Sequence, residues 1–135
     1  MSALIEELKK EHSEIITLLD KVKELGFYSN EGRKILLSTK DLIILHLKKE
    51  NEKLYPILRK AAWNDERLKK ILNIIARDME NVKNSVLQFY EKYSDASSAF
   101  EYAKDYGELL WMIGNRVQRE EDILFKEYDN LNQQD

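Results

Sequence analysis

A chain of 135 residues with 43% hydrophobic and 35% charged residues, one proline and four glycines has the composition of one domain of long amphipathic helices spanning 1–135, not of sheets. The formal net charge is −3 with acids and bases interleaved, and no apolar run approaches the ~20 residues of a membrane span; neither nucleic acid nor membrane is an expected partner. With no cysteine and only His12 and His46 as imidazoles, disulfides, thiolate metal sites and cysteine-held clusters are excluded, and any metal must use nitrogen and oxygen ligands.

The opening Met1-Ser2-Ala3-Leu4-Ile5-Glu6-Glu7 lacks a basic-then-apolar signal region, so a cytoplasmic protein is expected. The first helix is predicted from about Ala3 to Leu25, because Leu4, Leu8, Ile15, Leu19 and Val22 recur at helical spacing along one stripe and Gly26 can end it. A second is predicted from around Glu31 to Tyr55, carrying Leu36, Ile43 and Leu54, with Pro56 marking its end or a kink. The short connection makes the two antiparallel. An irregular or loosely helical stretch through Ala61, Ala62 and Trp63 follows, after which Asn64 or Asp65 caps a third helix reaching about Tyr93. Ser94-Asp95-Ala96-Ser97-Ser98 reads as a stop and a new cap, and a fourth helix runs from near Phe100 to Tyr128. Trp63 and Trp111 read as core or inter-helix fillers, and the Lys-Lys and Glu-Glu pairs as solvated surface. Tyr55 and Tyr90 read chiefly as packing residues, with phenols that could support a carboxylate.

One register repeats along the chain. His46-Leu47-Lys48-Lys49-Glu50 followed by Leu54-Tyr55-Pro56 reappears as Arg116-Val117-Gln118-Arg119-Glu120 followed by Leu124-Phe125. The apolar pattern Ile15, Ile16, Leu18, Leu19, Val22 after His12 likewise matches Val86, Leu87, Phe89, Tyr90, Tyr93 after Lys83, which sets Lys83 opposite His12. His12 and His46 straddle the first turn almost evenly, as Lys83 and Arg116 straddle the second. If both turns lie at one end of an up-down-up-down bundle, these four residues share one interior layer. Glu50 and Glu120, one helical turn further along the same faces, join them there.

On these residues the chain resembles the hemerythrin-like (HHE cation-binding) family, whose members hold a di-iron site inside a four-helix bundle. The carriers are Glu11-His12 with Ile15, His46-x-x-x-Glu50 with Leu54-Tyr55-Pro56, and Glu120-Glu121 with Leu124-Phe125. The resemblance implies an all-α, up-down-up-down bundle in which His12 and His46 serve one iron and Glu50 and Glu120 bridge both. The other iron would take a His-x-x-x-His pair from the third helix and a histidine from the fourth, where this chain has Met79-x-x-x-Lys83 and Arg116. Lysine and arginine offer donors instead of lone pairs, and a thioether suits hard iron poorly. An intact di-iron centre and ordinary reversible oxygen carriage are therefore not expected. Instead, Lys83 and Arg116 are expected to pair with one or both glutamates, two single charges taking the place of a divalent ion.

Two readings stay open at this stage. In the first, His12, His46 and Glu50, with Glu120 as an optional fourth ligand, hold at most one metal ion, iron or else zinc or manganese, and oxygen, peroxide or nitric oxide is sensed or scavenged at the vacant positions. In the second, the layer is a metal-free ion-pair network inside a bundle with an interaction or structural role. No further acid–base residue or cofactor motif points to an enzyme.

Overall fold

The computed structural model describes residues 2–26, 29–93 and 99–133, and among these there are helices and turns but no strand. Helix α1 spans Ala3–Leu25, α2 Asn30–Lys49, α3 Tyr55–Ala62, α4 Glu66–Lys92, α5 Ala99–Arg119 and α6 Phe125–Gln133. Single π-helical turns at Glu50–Leu54 and Glu120–Leu124 join α2 to α3 and α5 to α6, so the six segments make four rods. The all-α bundle expected from the hydrophobic periodicity is what forms.

Local chemistry explains the boundaries. The Ser2 hydroxyl accepts from the Ile5 N–H at 3.3 Å, and the Ser2 N–H donates to Asp129 at 3.0 Å, fastening the start of α1 to α6. Gly26 ends α1 with a φ of +84°, a conformation that strains residues with a Cβ, while its N–H returns to the Val22 carbonyl. A Cβ on Gly32, in the first turn of α2, would lie 2.3 Å from the Gly26 carbonyl oxygen, so the hairpin closes tightly only because both positions are glycine. Asp65 caps α4 by accepting from the Leu68 N–H at 3.1 Å. The Ser94–Ser98 stop lies outside the described residues.

Pro56 does not end the second rod; helix continues through it to Ala62. It occupies the first turn of α3, directly after the π-helical turn, where the Tyr55 N–H already donates five residues back to the Glu50 carbonyl. A missing N–H and a bulky ring are tolerated at such a re-registered turn, as they are at a helix start. The expected irregular stretch shrinks to the turn at Trp63 and Asn64.

Two apolar clusters fill the interior. One includes Leu19, Val22, Leu36, Phe89, Tyr93 and Tyr102; the other packs Ile5, Leu8, Leu54, Leu58, Leu72 and Phe125. Val22, Tyr93 and Tyr102 share a cluster, so both hairpin turns lie at one end of the bundle. Between the clusters runs a polar layer of His12, His46, Glu50, Arg116 and Glu120, none more than 5% exposed.

Three residues sit elsewhere than expected. Lys83 is exposed and, among the described residues, has no carboxylate partner; the reading that pairs it with the buried glutamates is corrected. At its height a groove lies between α2 and α4, and Lys83 is one of the residues that line it. Trp63 and Trp111 are 76% and 72% exposed, not core fillers. Trp63 falls in the turn after α3, and Trp111 lies two residues from both Leu109 and Ile113, which turns it away from the interior that they face.

Candidate metal centre

The layer is assembled at equivalent points of the two hairpins. His12 projects from α1, His46 from the last turn of α2 and Arg116 from the last turn of α5, while Glu50 and Glu120 are each the first residue of a π-helical turn. A π-helical turn accommodates one extra residue, so two consecutive side chains face inward after each glutamate: Leu54-Tyr55 and Leu124-Phe125, all buried. Phe125 stacks under the His12 ring at a centroid distance of 5.4 Å, flooring the layer.

Both imidazoles are oriented from outside. His46 Nδ1 lies 2.8 Å from Glu11, and His12 Nδ1 lies 3.2 Å from Glu121. A carboxylate accepts only, so each Nδ1 carries the proton and each Nε2 is left with its lone pair directed inward. Lys49 in turn grips Glu11 and reaches Glu7 at 2.6 Å, stiffening the support behind His46. Burial and the neighbouring His12 ring push the His46 pKa below its ordinary value, which keeps the ring neutral and able to donate its electron pair.

The inward atoms converge. His12 Nε2 stands 3.5 Å from Glu120, His46 Nε2 stands 3.4 Å from Glu50, and the two rings are 4.5 Å apart. One candidate ligand atom from each of the four residues lies within 4.8 Å of every other. His46 Nε2, both Glu50 oxygens and the second Glu120 oxygen are buried with no hydrogen-bond partner in the described structure.

Arg116 satisfies the far edge. Its Nε donates to Glu120 at 2.6 Å, one terminal nitrogen donates to the Ile75 carbonyl at 3.0 Å, and the other donates to the Tyr55 hydroxyl at 2.5 Å. Tyr55 thus accepts from a cation and supports no carboxylate directly. Burial, followed by the Glu120 charge, raises the Glu50 carboxyl well above its usual range. For Glu120 burial acts in the same upward direction, but the polar groups around it, the Arg116 charge among them, outweigh it and hold the group at about 2. Glu50 is thus the carboxyl whose ionisation burial opposes, and Glu120 the one that faces the Arg116 cation. One side-chain cation, Arg116, stands in the layer where two were expected.

Of the residues singled out from sequence, the structure gathers His12, His46, Glu50, Glu120 and Arg116, and leaves Lys83 outside. Met79 is half-buried against the apolar cluster below the layer. Sequence reasoning used Glu11 and Glu121 only as marks of the family pattern and gave no role at the site to them or to Lys49. Their signal was position: each carboxylate adjoins a layer residue in sequence, Glu11 beside His12 and Glu121 beside Glu120, yet serves the histidine of another rod. A recess of about 400 Å3 between α1 and α2 has His46 and Glu11 in its wall, placing the layer within reach of the surface.

The family model of the hemerythrin HHE cation-binding domain matches residues 3–128. The chain belongs to this family. No curated protein and no solved structure gives a match. Cation binding is the property this hemerythrin-domain family is named for, and the buried histidine–glutamate cluster is compatible with it. Metal bonds of about 2.1 Å require ligand atoms no more than about 4.2 Å apart, so the layer needs only a small contraction to close on an ion. Unpartnered lone pairs buried between two apolar clusters are costly unless something binds them. The residues present therefore fit a cation.

Proposed function

We propose that this protein holds a single divalent metal ion, ferrous iron by preference, through His12 Nε2, His46 Nε2, Glu50 and Glu120. Arg116 and Met79 take the place of ligands to a second ion, so the site is a degenerate, one-metal form of the family's centre. The observation that carries the proposal is the set of orphaned buried atoms on His46, Glu50 and Glu120, with each imidazole already oriented by an outer carboxylate. Two histidines with one or two carboxylates suit ferrous iron with open positions, and manganese and zinc are the competing ions.

When bound, such an ion supplies Lewis acidity and open positions for a small ligand such as oxygen, peroxide or nitric oxide. The chain's own residues do the rest. Glu50 faces His46 across the layer, Arg116 keeps Glu120 ionised and aimed, and the apolar clusters above and below exclude bulk water. The role in the cell that follows is sensing or scavenging of that ligand.

Stoichiometry tests the reading. Protein purified without an affinity tag, stripped with chelator and loaded anaerobically with ferrous ion should retain one ion per chain by elemental analysis, and His12→Ala should retain none. Two ions per chain would remove the one-metal proposal. No retention of iron, manganese or zinc would leave the layer as a metal-free network.

A further inference from the structure

A recess larger than the one beside His46 is a groove between α2 and α4, with a volume of about 620 Å3. That lies within the roughly 300–1,000 Å3 typical of small-molecule sites. Its floor is apolar, made by Ile43, Leu47, Met79 and Val86, with Tyr55 at one end. Val86 and Tyr55 are 1% and 2% exposed, so the floor lies deep. Ile44 and Leu87, 40% and 36% exposed, are the large apolar residues at its lip. Two lip residues give too little surface to pack a partner helix, whereas a slender chain can reach the floor.

The edge has a charge preference. Lys48, Arg59 and Lys83 stand there against Glu52 and Glu80, an excess of one positive charge on a chain whose net charge is −3. Neither Lys48 nor Lys83 has a carboxylate partner among the described residues. The groove lies between α2 and α4, and Lys83 lines it instead of joining the polar layer.

We propose that this groove binds a small amphipathic carboxylate, of the medium-chain fatty-acid class, with its tail along Leu47 and Met79 and its head at Lys48 and Lys83. The tail covers apolar floor that water now wets, and the head meets two ammonium groups without carboxylate partners. The proposal is independent of whether the polar layer holds a metal.

Titration calorimetry with decanoate, below its micellar concentration, tests it on the full chain. Binding should be saturable at one molecule per chain and should strengthen about fourfold per methylene, the upper limit, from hexanoate to octanoate to decanoate. Decylamine should bind at least about tenfold more weakly than decanoate, and Lys83→Glu should weaken decanoate by about tenfold. Ile44→Glu, a second exposed position, should abolish the chain-length dependence, while circular dichroism melts show both variants folded. The proposal is overturned by non-saturable binding, by equal affinity for decylamine, or by an affinity that Lys83→Glu leaves unchanged. It is equally overturned if sedimentation reveals a dimer that decanoate does not dissociate, since the groove would then be covered by a second copy.

Discussion

On the α1–α2 side of the buried layer, His12 and His46 direct bare nitrogens inward and are held there by carboxylates and a lysine on the outside. On the α5 side, Arg116 presents donors and finds an acceptor for its Nε and for each terminal nitrogen within 3.0 Å. The two sides come from hairpins with the same register and the same π-helical turn, yet one is left electron-rich and unsatisfied and the other is closed. A repeated backbone thus fixes where side chains meet, while the identity of a single residue decides whether the meeting point wants an ion. Glu120 belongs to both sides, with one oxygen bonded to Arg116 and the other facing His12.

The comparison is broken most severely by deleting the closed side. Arg116→Ala leaves Glu120 without its buried cation and should lower the unfolding free energy of the metal-free protein by about 3–5 kcal/mol, read from urea titration in chelator. The open side is weakened more gently through its outer supports: Glu11→Ala and Glu121→Ala should each reduce metal affinity about 10- to 100-fold in competition dialysis while leaving secondary structure intact. Equal affinity in both variants would mean that the imidazoles are oriented by packing alone.

Acidity sharpens the contrast further. Glu50 has a folded-state pKa raised above its ordinary 4.5, so the fold retains a proton that the unfolded chain has released, and stability falls as pH rises above 4.5. Glu120, depressed to about 2, contributes in the opposite sense; its stabilisation is full above 4.5 and lost only as pH falls toward 2. Glu50→Gln should therefore flatten the fall in stability of the metal-free protein above pH 4.5 and make it more stable than the parent at neutral pH, read from urea titrations at a series of pH values. The smallest effect belongs to Lys83→Ala. It should change stability by less than about 0.5 kcal/mol and leave metal affinity unaltered, because the side chain stands in water.

Hydrophobic spacing made the four rods legible, and the positions of His12, His46, Glu50, Glu120 and Arg116 relative to the turns made their shared height legible. Lys83 was misplaced because matching two apolar patterns fixes a height along the bundle and not the direction in which a side chain leaves its helix, and at that height a groove lies between α2 and α4. The phase of Trp111 between Leu109 and Ile113 was visible in the sequence but was outweighed by the usual burial of tryptophan. The π-helical turns were not read. Their trace is the adjacent apolar pair that follows each glutamate, a pattern that does not mark them out because uninterrupted α4 also buries an adjacent pair at Phe89-Tyr90. The outer carboxylates escaped because charged residues on a surface helix look alike until the neighbouring rod is in place.

Each π-helical turn adds a residue to one helical turn, which rotates everything beyond it by about 100° relative to an uninterrupted helix. The phase of the distal segments α3 and α6 is therefore set independently of the layer that precedes them. Residues of that terminal cap can be exchanged without re-aiming the glutamates, and removing one residue from each insertion would swing Tyr55 and Phe125 off the centre while the glutamates stayed where they are. The bundle thus behaves as two stacked barrels on adjustable joints, with the ionisable plane at the coupling.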